Sequence, residues 1–445
     1  MGEGNLSAPI SRLFVDISYT QTQTGSIGVT RTVRHLLEEF QKATPLTELP
    51  CQPVAVHSCG FRKLESPAAS QLAATPLKAS GGTAASILRW VTGGHVRRLA
   101  LASLPLSSLH VAWRLYSRWT FDALSRHAPH VAFQPGDVLF MGDASWHYEA
   151  WHAMQRARQE GCRVVLMVHD LIPLRHPEYG APLVSMVFEK WLAHMLRCVD
   201  AVICNSQATE IDLKNYAASV GLSLPPTGHF RLGCDAARQP GAHPVRPVIA
   251  RFLSKPGASF AAVGSFEPRK NYAWLLQVFE GLWAKGHSVR LLIAGRPTAD
   301  GRSLVEKMKQ HPEQGRRLLT VFDANDQELD HVYAHVRALL FPSLAEGFGL
   351  PLVEARVRGC LVIASDLPAF LELGDEGVSF FPLNSADAFA EMVLGHARLD
   401  PPSHIVPMRP FTWKESAGQL LTTMSFLLDE QEAVNGSRIA TLFST

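Results

Sequence analysis

The sequence predicts an α/β protein built from two doubly wound, Rossmann-like domains, and four observations predict it. Eleven short apolar runs alternate with stretches of helical periodicity. Those runs lack strict apolar–polar alternation, as in strands buried on both faces of a parallel sheet. A Pro/Gly-rich break, ARQPGAHPVRPVIA (237–250), interrupts the series near its middle. The 445 residues suit two domains of about 100–200 residues each.

In the first half the strand-like runs are LFVDISY (13–19), VAVH (54–57), VLFMGD (138–143), RVVLMVHD (163–170) and AVICNS (201–206). In the second they are FAAVGS (260–265), VRLLIAG (289–295), LTVFD (319–323), ALLFPS (338–343), LVIASD (361–366) and VSFFPL (378–383). Helical patterns between them make βαβ units. The break reads as a linker, which places one domain over 1–240 and a second over 241–412. TWKE (412–415) then matches a helix capping box, with Thr412 as cap and Glu415 reaching back. The apolar helix it opens runs to about 428, within a 413–445 tail expected to pack back toward the N-terminal domain. No internal repeat is detectable.

Residues 60–130 do not follow the alternation. They carry nine Lys and Arg against Glu65 and Asp122 alone. Arg114, Arg118, Asp122 and Arg126 form a polar stripe at four-residue spacing, with Trp113, Tyr116, Trp119 and Phe121 on other faces. Such a basic, aromatic insertion suits peripheral contact with an anionic membrane surface. It equally suits a surface helix packing its aromatics on its own domain.

Composition excludes several classes. A formal net charge of only +2 offers no global attraction to nucleic acid. The seven cysteines form no C-x-x-C pair and no zinc-like spacing, so they read as free thiols of a reducing compartment. No N-terminal signal-type core is visible, and no run reaches the roughly 18 apolar residues of a membrane span. The expected location is cytoplasmic, with at most a peripheral place at the inner face of the membrane. No G-x-G-x-x-G fingerprint opens a βα unit, which argues against a dehydrogenase, and no Walker A loop or D-x-D pair is present.

The stretch richest in chemistry is AEGFGLPLVEA (345–355). It follows a strand, ALLFPS, and ligands of open α/β sheets bind beyond such C-terminal ends. Gly347 and Gly349, with Phe348 between them, let the backbone approach a ligand. Leu350 and Pro351 open a helix, Glu354 falls in its first turn, and Gly359 can end it. The helix N-terminus would offer free N–H groups to an anion such as a diphosphate. Two carboxylates, Glu346 and Glu354, on either side of an anion site suit the hydroxyls of a nucleotide sugar. Read alone, Glu346 could equally be an exposed loop acid and Glu354 a generic helix-start acid.

Together, ALLFPSLAEGFGLPLVEARVRGCLVIASDLPAFLE (338–372) resembles the E-x7-E signature of retaining glycosyltransferase family 4. AAVGSFEPRKNYAWLLQVFEGL (261–282) resembles that family's phosphate-binding block, and VHDLIPLRHPEY (168–179) its N-domain strand and loop. DAVICNSQATEIDL (200–213), FRLGCD (230–235) and GSIGVTRTV (25–33) resemble the accompanying segments, in family order. The resemblance implies the GT-B fold, two Rossmann-like domains facing a central cleft. It implies that Glu354 binds the ribose, Glu346 the donor sugar, and Lys270 with Arg269 the diphosphate. Gly264 and Ser265 would line the same donor site. His169 would meet the donor sugar, Asp170 would contact it or orient the histidine, and Gly25 and Gly28 would form a loop near phosphate or acceptor. Many members carry arginine where this chain has Ser265, which shifts the diphosphate onto Lys270 and backbone groups.

The implied activity is metal-independent sugar transfer, with retention, from a nucleotide diphosphate sugar to a hydroxyl of a glycan or lipid-linked acceptor. No metal or other cofactor is expected. Within the family the EPRKN and VHDLIPLRHPEY blocks resemble mannosyl- and rhamnosyltransferases of bacterial surface polysaccharides, which favours GDP-mannose. The alternatives are a dTDP- or GDP-deoxysugar donor, a UDP-sugar donor, an epimerase or phosphorylase, or a non-catalytic nucleotide-sugar-binding protein. Base, linkage and oligomeric state are not set by the sequence.

Overall fold

A computed structural model describes residues 10–23, 28–42, 49–65, 121–123, 125–147, 150–180, 182–235, 244–374, 376–383, 385–399 and 406–442. Gly25 and most of the 60–130 insertion, including Arg114, Arg118, Trp113, Tyr116 and Trp119, lie outside the described residues.

All eleven expected strands form. In the first half they are β1 (Arg12–Asp16), β2 (Cys51–His57), β4 (Asp137–Met141), β5 (Arg163–Val168) and β6 (Ala201–Cys204). Two more complete that sheet: β3 (Gly60–Lys63), an antiparallel edge hairpin with β2, and β7 (Thr227–His229). Neither has a readable apolar run, because an edge strand is covered less and needs fewer apolar side chains. The order is β3-β2-β1-β4-β5-β6-β7, parallel except for the β2–β3 hairpin.

The second sheet holds β8 (Ala258–Val263), β9 (Val289–Ala294), β10 (Leu318–Val321), β11 (Ala338–Phe341), β12 (Leu361–Ser365) and β13 (Val378–Phe381). Its order is β10-β9-β8-β11-β12-β13, parallel throughout. In β8, β9 and β11 every residue is buried, which is why these segments read as unbroken apolar runs. Each sheet carries its own apolar core.

Strand order reverses between β1 and β4 in the first sheet and between β8 and β11 in the second. At such a switch point the connections leave in opposite directions. A crevice then opens beyond the strand C-termini.

The chain divides into two compact units. One comprises Met1–Pro177, Ala181–Leu232 and Trp413–Thr445; the other comprises Glu178–Gly180 and Gly233–Thr412. The break expected to be a linker contains a helix, Pro247–Leu253, started by Pro247. The C-terminal helix runs over Trp413–Leu442, well past the expected end near 428. Its first part packs on the first unit. Trp413 is buried and stacks on His35 of the helix Gly28–Gln41, with ring centroids 4.7 Å apart. Ser416 donates to the Arg231 carbonyl at 2.8 Å. Helices with ridges this tightly seated lose much when an anchor is truncated. Trp413→Ala is expected to cost about 3–5 kcal/mol of stability in urea unfolding of the first unit's transition.

Candidate functional site

The second unit gathers its polar residues at the β8/β11 switch point. Beyond β8 the chain passes Gly264 and Ser265, makes a 3-10 turn at Pro268–Lys270, and enters the helix Tyr272–Ala284. Asn271 joins turn to helix with φ of 59°, the only positive φ outside glycine among the described residues. Asparagine tolerates this left-handed region better than most residues. Beyond β11 the chain passes Ser343 and Glu346 before the helix Leu350–Val357. Gly349 caps that helix at φ 118°, and a Cβ there would meet the Phe370 ring at 2.8 Å. Pro351 occupies its first turn.

Glu346 is the centre of this arrangement. One carboxylate oxygen accepts from the Lys270 ammonium and from Ser343 Oγ at 2.8 Å. The other accepts from Arg269 Nη1 at 2.6 Å. The Glu346 and Lys270 side chains are each only 8% exposed. Burial alone would raise the Glu346 pKa. The charges of Arg269 and Lys270, with hydrogen bonds from Lys270 and Ser343, outweigh it and hold the carboxyl at about 2. Burial pushes the Lys270 ammonium down, and Glu346 pulls it back up. Arg269 also donates to Glu267 at 2.7 Å and to the Ala345 carbonyl at 3.0 Å. Ser265 hydrogen-bonds Glu267. The serine that stands where many family members carry arginine therefore orders the acid that holds Arg269.

Glu354 is 5% exposed, and its carboxylate accepts from the Tyr333 hydroxyl at 3.1 Å. It lies one residue past the first turn, not within it, because the helix already begins at Leu350, capped by Gly349. Gly347, Phe348 and Gly349 are buried in the loop, Leu350 is the first helical residue, and Gly359 takes the left-handed conformation just past the helix end.

The first unit gathers a second polar set at its own switch point. His169 follows β5, is 6% exposed, and donates from Nε2–H to the Gly142 carbonyl at 2.8 Å. Burial lowers its pKa to about 4, so the ring is neutral and Nδ1 is its acceptor. Asp170 accepts from the Ile172 N–H at 3.0 Å, which fixes the loop. Gly28 is the first residue of the helix Gly28–Gln41, with open space where a Cβ would stand. Sequence reasoning passed over Asp143. It is fully buried and accepts from Thr20 N–H at 2.7 Å, Thr20 Oγ1 at 2.9 Å and Ala144 N–H at 2.8 Å. Arg34 donates to the Gln23 carbonyl at 2.7 Å. These two side chains hold the loop around Thr20 and Gln23.

The described residues contain no group of three or more His, Cys, Asp or Glu able to hold a metal ion. None of their helices is long and apolar enough to cross a membrane.

The family model for Glycosyltransferase Family 4 matches residues 89–219, and that for group 1 glycosyl transferases matches 252–395. Two glycosyltransferase family models thus match this chain, one within each unit. The serotype-specific mannosyltransferase WbdA of Escherichia coli is 32% identical over 333 residues, 70% of this chain and 40% of the relative. This chain thus spans less than half the length of that relative. The O-antigen chain mannosyltransferase B of the same species is 26% identical over 280 residues, 60% of this chain and 71% of the relative. In fold, the chain resembles a sucrose-phosphate synthase from Thermosynechococcus elongatus. The TM-score is 0.53 at 17% identity, covering 97% of this chain and 99% of that one. A trehalose-6-phosphate phosphatase N-terminal domain from Candida albicans gives 0.58 at 11% identity, covering 99% and 98%.

Breaking one partner of a buried ion pair leaves the other charge uncompensated. Glu346→Gln is expected to cost about 3–5 kcal/mol in urea unfolding. The double variant Glu346→Gln/Lys270→Met is expected to regain most of it, since Arg269 keeps Glu267. Additive losses would show that the pair is not coupled.

Proposed function

We propose that this chain transfers mannose from GDP-mannose, with retention of configuration, to a hydroxyl of a glycan or lipid-linked acceptor in surface polysaccharide synthesis. The observation that carries the reading is the buried Lys270–Glu346–Arg269 cluster at the β8/β11 switch point. Two cations with small exposure, fixed beyond the strand ends, suit an anionic ligand. The mannosyltransferase relatives favour the donor sugar.

In this reading Lys270 and Arg269 hold the diphosphate and stabilise the charge it gains as the glycosidic bond breaks. Backbone N–H groups of Gly347, Phe348, Gly349 and Leu350 add to the same anion site, with Gly264 and Ser265 opposite. Glu354 accepts from the ribose hydroxyls. A carboxylate offers about four lone-pair directions, and Glu346 has filled three with Lys270, Ser343 and Arg269. The fourth is for a hydroxyl of the donor sugar. His169 accepts from another sugar hydroxyl at Nδ1, with Asp170 fixing its loop, and the Gly28 helix start serves the acceptor side. The transition state is oxocarbenium-like. A donor phosphate oxygen takes the acceptor's proton, so no carboxylate acts as nucleophile and the charge on the leaving group needs no metal. The enzyme works on the cytoplasmic side, with peripheral membrane contact through the basic insertion.

The test is to incubate wild type with GDP-, UDP-, ADP- and dTDP-sugars without metal, recording thermal shifts and slow donor hydrolysis. Stabilisation by GDP-mannose, release of mannose first as the α anomer, and loss of binding in Lys270→Ala are expected. Glu354→Ala should weaken donor binding about tenfold or more, the worth of a hydrogen bond to a charged group. Stabilisation by another nucleotide sugar alone would reassign the donor. Binding of none, by folded protein, would remove the donor site.

A further inference from the structure

The helix Tyr272–Ala284 opens with a tyrosine that its position does not explain. Tyr272 is 2% exposed, and its hydroxyl has no hydrogen-bond partner among the described residues. The ring is held edge-on against Phe266, with centroids 5.4 Å apart. Phenylalanine would fill the same space without stranding a polar atom, since a buried hydroxyl left unpaired costs about 1–3 kcal/mol.

The surroundings say what the hydroxyl is for. A Cβ added to Gly264 would lie 3.1 Å from the Tyr272 hydroxyl oxygen and 3.7 Å from Lys270 Nζ. The bare face of Gly264, at the end of β8, therefore looks onto the hydroxyl and the ammonium together. The left-handed turn at Asn271 makes this possible, because it lets residues 270 and 272 both turn back to the strand end. Burial, with Glu346 and Glu267 adding, pushes the phenol pKa far up, so the group is an O–H donor at every working pH. A donor beside a lysine and lacking an acceptor matches an oxygen that only accepts.

We propose that the Tyr272 hydroxyl is a donor-site group, hydrogen-bonding a diphosphate oxygen of the bound nucleotide sugar alongside Lys270. This rests on the donor site assigned above. The hydroxyl is kept unpaired in the ligand-free protein and gains its partner only when the diphosphate arrives. It also explains part of how a site with Ser265 in place of arginine retains enough donors for its anion.

The experiment compares wild type, Tyr272→Phe and Lys270→Ala, each as the full chain. Binding of GDP, UDP, ADP and dTDP, and of GDP-mannose, is measured by calorimetry, and melting temperature is measured without ligand. The nucleotide that binds wild type tightest carries the comparison. Tyr272→Phe should melt no lower than wild type, yet bind that diphosphate about ten- to a hundredfold more weakly, as expected for a hydrogen bond to a charged acceptor. Wild-type affinity in Tyr272→Phe, with binding lost in Lys270→Ala, would overturn the assignment and leave the donor site standing. A lowered melting point in Tyr272→Phe would show that the hydroxyl has a structural partner and would also overturn it. Weakening toward GDP-mannose but not toward GDP would move the hydroxyl from diphosphate to sugar and so refute the diphosphate contact. Wild type that binds none of the four would remove the donor site and this inference with it.

Discussion

The second unit depends on one interaction, the buried carboxylate of Glu346 between Lys270 and Arg269. A lysine as enclosed as Lys270 pays a large desolvation cost for its charge and, alone, would tend to shed its proton. Glu346 offsets that cost, and in return the two cations keep Glu346 ionised far below the normal carboxylate range. Ser343 fills another lone pair, and Arg269 is steadied from its far side by Glu267, itself bonded to Ser265. The cluster thus fixes two cations against two carboxylates in a place with little water, where each charge acts strongly on its neighbours. Leu344 N–H to the Arg269 carbonyl, at 2.7 Å, locks the two loops that carry it.

The sheet topology is what makes this interaction possible. Lys270 and Glu346 stand 76 residues apart. They meet because β8 and β11 are neighbours at the point where the strand order reverses, so the loops leaving both strands converge at one end. The first unit repeats the device with different chemistry. There a fully buried carboxylate, Asp143 after β4, takes Thr20 from the loop after β1. Burial raises Asp143 to about 6, against the hydrogen bonds it accepts, and burial lowers His169 to about 4. The second unit's switch point therefore gathers several ionised groups, and the first unit's pairs one buried carboxyl with a neutral histidine.

Much of the fold was legible because its physics is local. Strands such as FAAVGS and ALLFPS are buried on both faces and cannot be written without apolar runs. Pro351 and Gly359 bracket their helix as their backbone preferences require. Thr227–His229 was not legible, since a three-residue edge strand carries no apolar signature, and the helix from Trp413 continues through DEQEAVNG, where apolar periodicity fades. In the candidate site the residue identities of Glu346, Glu354, Lys270 and His169 stood out. Their partners did not. That Glu346 serves Lys270 is a contact between distant loops, which spacing along the chain cannot express. Tyr272 reads as one more large residue of an apolar helix, and only its unpaired hydroxyl sets it apart. Asp143 looked like the polar end of a strand until Thr20 was placed against it.

The measurement that tests the account most directly is the pH dependence of GDP-mannose affinity from pH 7 to 9, in wild type and in Glu346→Gln. If Glu346 keeps Lys270 charged, wild-type affinity stays nearly flat across that range. Without the carboxylate, a buried lysine that holds the diphosphate as proposed must take up a proton to do so. Affinity of Glu346→Gln should then weaken as pH rises, approaching about tenfold per pH unit once the pH exceeds the lysine's lowered pKa. A variant whose affinity is as flat as that of the wild type would contradict the claim that this ion pair sets the charge of the site.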